Sequence, residues 1–139
     1  MRYLHAFPIL ALVILAFNGL AWSGSMIQSE SLFYDTVLPS GAEFYFEAGD
    51  LFIVAGLAAL FIEILKAAKL SGGTIADHMM STVVFIVALL EFLLVEFCGT
   101  STFFFLTLMA LIDVVAGFSV SIFSARRDYS VSHNRDGGL

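Results

Sequence analysis

Four apolar runs, about Ala6 to Trp22, Leu51 to Ala68, Met79 to Cys98 and Thr102 to Ala125, take up more than half of this 139-residue chain. Each approaches the ~20 residues a helix needs to cross a hydrocarbon layer. A chain built this way has few folds open to it, because in lipid every backbone amide must find its partner within the protein. The runs are therefore expected as helices. Composition agrees: 60% of residues are hydrophobic, mean hydropathy is +0.96 and only 13% are charged. The fold class expected is an all-α integral membrane protein, a four-transmembrane-helix bundle in residues 1–125 followed by a cytoplasmic polar tail, 126–139.

Charge placement orients the bundle. The six basic residues, Arg2, Lys66, Lys69, Arg126, Arg127 and Arg135, lie before the first run, between the second and third, or after the fourth. Residues 23–50 carry Glu30, Asp35, Glu43, Glu47 and Asp50 with no basic residue. By the positive-inside rule both termini are cytoplasmic, and the acidic, aromatic loop between helices 1 and 2 faces out. The expected location is the cytoplasmic (inner) membrane, multi-pass, with the lipid bilayer as the first partner. The first run has a rival reading as a secretory signal peptide, since Ala21-Trp22-Ser23 ahead of Gly24 offers small residues for cleavage. Leu38-Pro39-Ser40-Gly41 divides the outer loop, which allows either a small aromatic hairpin or two short interfacial helices.

Acids within the apolar runs point to function. Glu63, Glu91, Glu96 and Asp113 lie in or against these runs, with no lysine or arginine at matching depth. An unpaired carboxylate at mid-bilayer costs at least ~2.5 kcal/mol on insertion scales, so each must be protonated, hydrated or bound to a cation. Helical spacing places Glu63 on a stripe with Gly56 and Ala59, and Asp113 on one with Ala110 and Gly117, both suited to close helix packing. Glu96 is out of phase with Glu91 and close to the outer surface. At ~1.5 Å per residue, Asp113 falls near the midplane, Glu91 ~4 Å to its outer side and Glu63 ~5 Å to its inner side. The facing third and fourth runs are expected to bring Glu91 and Asp113 together.

Each acid also has a structural reading. Glu63 precedes Lys66 by three residues, a spacing that allows an intrahelical ion pair. Glu91 and Asp113 can donate from a protonated carboxyl to Asn18, Thr107, Ser119 or a backbone carbonyl across a helix pair. If the acids act, the chemistry is proton or cation handling, with Glu91, Asp113 and Glu63 as successive stations and His78, Asp77 and Lys66 at a cytoplasmic mouth.

Other classes are disfavoured. Cys98 is the single cysteine, which removes intramolecular disulfides, CxxC redox pairs and thiolate metal sites. His5, His78 and His133 lie at run boundaries or in the tail, so neither haem nor a metal held by helix-interior imidazoles is expected, and no cofactor is implied. No serine has a histidine at matching depth and no phosphate-binding glycine loop occurs, so an enzyme is not expected. A net charge of −6 and a pI near 4.7 argue against nucleic acid. Two readings remain: a homo-oligomeric protein with a proton- or cation-linked pathway, or a non-catalytic accessory subunit that packs on a larger membrane complex through the Gly56/Ala59 and Ala110/Gly117 stripes.

Overall fold

The computed structural model describes residues 7–24, 32–69 and 75–133. Four helices, α1 (Ile9–Trp22), α2 (Ala48–Lys69), α3 (Ile75–Leu94) and α4 (Ser101–His133), are joined by a hairpin of strands β1 (Leu32–Val37) and β2 (Glu43–Glu47) and by a 3₁₀ turn, Glu96–Cys98. Two helical stretches, Ala48–Ala67 and Ser101–Val120, are long and apolar enough to cross a membrane, whereas α1 and the apolar part of α3 are shorter.

Local chemistry sets the helix ends. Pro8 stands at the N-cap of α1 with φ −64°, already suited to helix entry, so the helix starts at Ile9 rather than at Ala6. Pro8 brings no side-chain acceptor to cap the first amides. Helix α2 starts at Ala48, three residues before the apolar run, because Asp50 reaches back to accept a hydrogen bond from the Glu47 amide at 2.9 Å. This is the acidic half of a capping box. Helix α3 takes in the polar turn Ile75–His78 ahead of the apolar run. At the far end of α3 the chain turns through Val95 and the 3₁₀ turn, and Thr100 Oγ1 then caps α4 by accepting from the Phe103 amide at 3.2 Å. Helix α4 continues past Ala125 to His133 and so takes in residues 126–133 of the polar tail. Nothing between Ala125 and His133 breaks a helix, since the nearest glycine is Gly137.

The acidic, aromatic loop between α1 and α2 contains the hairpin rather than two short helices. Strands β1 and β2 pair antiparallel, with Thr36 opposite Phe44, Asp35 opposite Tyr45 and Tyr34 opposite Phe46. Gly41, at φ +83°, supplies the left-handed turn residue and its amide donates to the Leu38 carbonyl at 2.8 Å. Opposed residues share a face of the ribbon, so Tyr34, Phe44 and Phe46 lie on one side and Asp35, Tyr45 and Glu43 on the other.

Helix α4 is central and packs on both α2 and α3, while α1 packs chiefly on α2. Gly49 stands against Thr102, and a Cβ on Gly56 would come within 2.7 Å of Leu106 and 2.8 Å of Met109. Both contacts pair residues of similar offset, so α2 and α4 run parallel. The α3–α4 hairpin is antiparallel, with the Phe92 and Phe104 rings 5.6 Å apart. Phe17, 1% exposed, joins α1 to both neighbours through Phe52 (5.4 Å) and Phe103 (5.2 Å). The outward faces carry large apolar side chains on every helix, among them Leu15, Phe61, Leu90 and Val115, each about half exposed or more. In water such a surface would be an aggregation liability; facing acyl chains it is the expected one.

Candidate functional site

Two acidic centres form at opposite ends of α1. At its amino end Glu63 of α2 is 7% exposed, and its Oε1 accepts a hydrogen bond from the Leu10 amide at 3.0 Å. Leu10 lies in the first turn of α1, where helical amides have no partner within their own helix and where the helix dipole favours negative charge. Glu63 thus supplies, from 53 residues away in sequence, the acceptor that Pro8 cannot provide. Its second oxygen, Oε2, is buried without any hydrogen-bond partner. Asp113 of α4 and Lys66 of α2 are the charged groups within electrostatic range of it. Among the described residues Lys66 makes no ion pair with Glu63, in contrast to the pairing their spacing allows. The carboxylate is committed to α1, across the bundle, and not to its own helix.

Parallel packing explains why Asp113 belongs to this centre. Gly49 beside Thr102 and Gly56 beside Met109 both differ by 53 residues, which places Glu63 level with Ala116. Asp113 is three residues away, ~4.5 Å along the axis. Asp113 is half-buried. Two of the hydroxyls expected as its partners are engaged on their own helix, Thr107 donating to the Phe103 carbonyl at 2.9 Å and Ser119 to that of Val115 at 2.8 Å.

The second centre lies toward the carboxyl end of α1. Asn18 Nδ2 donates to Glu91 Oε2 at 2.8 Å, and its Oδ1 faces the fully buried Cys98 thiol at 3.5 Å. Glu91 is half-buried and Cys98 lies within range of its charge. Glu91 is remote from Asp113 in depth. The Phe92–Phe104 contact sets the hairpin register, by which Asp113 is level with Val83, eight residues or ~12 Å from Glu91. Glu91 therefore meets α1, and the acid that Asp113 approaches is Glu63.

The remaining candidates fall as follows. Glu96 is exposed in the 3₁₀ turn. Gly56, Ala59, Ala110 and Gly117 are all buried within the chain's own interior. Asp77 and His78 stand in the first turn of α3, but their side chains lie outside the described residues, as does Thr74. Among the described residues no three His, Cys, Asp or Glu side chains gather where they could hold a metal ion. Asn18 as a partner for Glu91 was legible as a polar residue in an apolar run. The Glu63 contact with α1 was not foreseen; the available signal was Pro8, a helix start with no local Ser, Thr, Asp or Asn cap.

No protein-family model, curated protein or solved structure matches the chain.

Proposed function

We propose that the chain is a four-span, homo-oligomeric protein of the cytoplasmic membrane with both ends inside, and that it carries a proton or monovalent cation along Glu91, Asp113 and Glu63. The observation that carries this reading is Glu63 Oε2, buried and unpartnered beside a second acid on a neighbouring helix. Buried polar atoms are nearly always satisfied, and an ionised carboxylate left with a bare oxygen is costly, so such an atom points to an exchangeable partner. The ~12 Å between Glu91 and Asp113 exceeds hydrogen-bond reach, so water or a second copy of the chain must bridge the outer half of the path.

The accessory-subunit reading, which placed docking on the Gly56/Ala59 and Ala110/Gly117 stripes, is the less supported of the two. The small-residue stripes that would seat a partner are filled by the chain's own helices, with Gly56 against Leu106 and Met109. The test is flux in reconstituted vesicles: Asp113→Asn abolishes proton or cation movement while the protein keeps its helical content. Flux unchanged by this substitution refutes the pathway.

A further inference from the structure

Resting on the pathway reading above, we propose that the cargo is a proton, that Glu63 Oε2 carries it, and that the amino end of α1 holds the carboxylate once the proton has passed to Asp113. Three observations lead there. Ligand supply comes first. A hard cation stripped of water needs a shell of several oxygens, and among the described residues only two acids meet here, one oxygen of which is already bonded to the Leu10 amide. A proton needs a single lone pair, and Oε2 offers one in a fully buried position.

Sign comes second. The first turn of α1 points its unpaired amides at the same carboxyl group, the equivalent of roughly half a positive charge. A metal cation at Oε2 would sit against that field. A negative Glu63 is stabilised by it, so the helix end favours the deprotonated carboxylate without favouring a cation.

Freedom of the acceptor comes third. Thr107 and Ser119 donate to their own helix, so neither hydroxyl occupies the Asp113 carboxyl group. Among the described residues, the charged groups facing Glu63 are Asp113 from α4, Lys66 from α2 and the amide end of α1. In the transfer, relayed by a water because Oε2 has no partner within hydrogen-bond reach, the O–H bond at Glu63 Oε2 breaks as the water takes that proton and gives one of its own to Asp113, where an O–H bond forms. One negative charge moves from Asp113 to Glu63, where the Leu10 amide already faces it.

The experiment uses the full chain in phosphatidylethanolamine and phosphatidylglycerol vesicles under an imposed pH gradient, with either sodium or choline as the bulk cation. Glu63→Gln is the informative variant, because the glutamine carbonyl keeps the bond from Leu10 while losing the titrating oxygen. The expected result is a proton flux equal in sodium and choline that falls to the leak of protein-free vesicles in both Glu63→Gln and Asp113→Asn. In infrared difference spectra across a pH step, a protonated-carboxyl band is expected in the wild type and absent in Glu63→Gln. This band keeps the assignment testable if the variant reconstitutes poorly. Flux that requires sodium, with uptake of radioactive sodium, overturns the proton and leaves the pathway standing. Proton flux and infrared band both retained in Glu63→Gln overturn Glu63 as carrier. Absence of either flux overturns the pathway and this inference with it.

Discussion

The Asn18–Glu91 hydrogen bond fastens the carboxyl end of α1 to α3, and its strength can be measured directly by a double-mutant cycle. Asn18→Leu and Glu91→Leu each remove one partner while keeping comparable volume, and the double variant closes the cycle. The Nδ2 to Oε2 distance of 2.8 Å is that of a well-formed bond in a part-buried setting. Side-chain bonds between membrane helices average ~0.6 kcal/mol with a maximum near 1.7, whereas bonds to a charged acceptor in folded proteins reach about 1.5 to 3. The partial exposure of both residues places this pair near the overlap, so a coupling of about 1 to 1.5 kcal/mol is expected. Each single variant should cost more than the coupling, because it leaves a polar partner facing the Cys98 pocket. The assay is reversible unfolding of the purified protein by sodium dodecyl sulfate in mixed micelles, followed by circular dichroism. Coupling within the ~0.3 to 0.5 kcal/mol by which independent sites already deviate from additivity would refute the bond as a fastening between α1 and α3.

Gly56→Val should lower the unfolding midpoint by an amount typical of overpacked cores, about 1 to 3 kcal/mol, because its Cβ alone would stand 2.7 Å from Leu106 Cδ2; a neutral result would show that α2 and α4 do not pack closely there. In the outer hairpin Tyr45 donates to Glu43, and this bond, then burial and the Asp35 charge opposite, hold its phenol above the ordinary tyrosine value of 10.0. The bond is therefore present below that pH and lost as pH rises through the raised value, so ultraviolet titration should show a late tyrosine step that Tyr45→Phe removes and Glu43→Gln moves downward. In a Cys98→Ser background, Ser40→Cys should react with an impermeant maleimide from outside and Ser71→Cys only after permeabilisation; the reverse pattern would invert the orientation.

The helices were legible because each apolar run exceeds what a turn or strand can use, and their ends shifted where polar residues joined them, where Pro8 set the start of α1 and where the chain left α3 for the 3₁₀ turn. Ala48-Gly49-Asp50 reads as loop by hydropathy, yet Asp50 closes a cap on Glu47 and draws these residues into α2. The hairpin was one of two alternatives until pairing selected strands that place Phe44 and Phe46 on one face. The three acids were legible as a set, since an acid within an apolar run stands out whatever the fold. Their pairing was not. Phase along one helix gives the face a residue occupies, but which acids meet depends on whether neighbouring helices run parallel and on their relative stagger. The parallel α2–α4 contact, set by Gly49 and Gly56, brings Asp113 to Glu63, while the hairpin register carries Glu91 ~12 Å away from Asp113.

The two centres also bear on the first helix. Glu63 holds the amino end of α1 and Glu91, through Asn18, its carboxyl end, while Leu10, Ile14 and Phe17 fill the interior between them. Removal of α1 as a signal peptide would leave both acids without their hydrogen-bond donors and would empty the space around Phe52 and Phe103. The packing therefore makes α1 part of the interior that holds both acids. It also divides the acids by duty. Glu63 and Glu91 each hold α1 in place, so a variant of either that loses the hydrogen bond changes packing together with chemistry. Among the described residues Asp113 makes no such attachment to α1, and the hydroxyls nearest it in sequence bond to their own backbone. A loss of flux in Asp113→Asn with unchanged unfolding would thus separate conduction from folding more cleanly than any substitution at the other two.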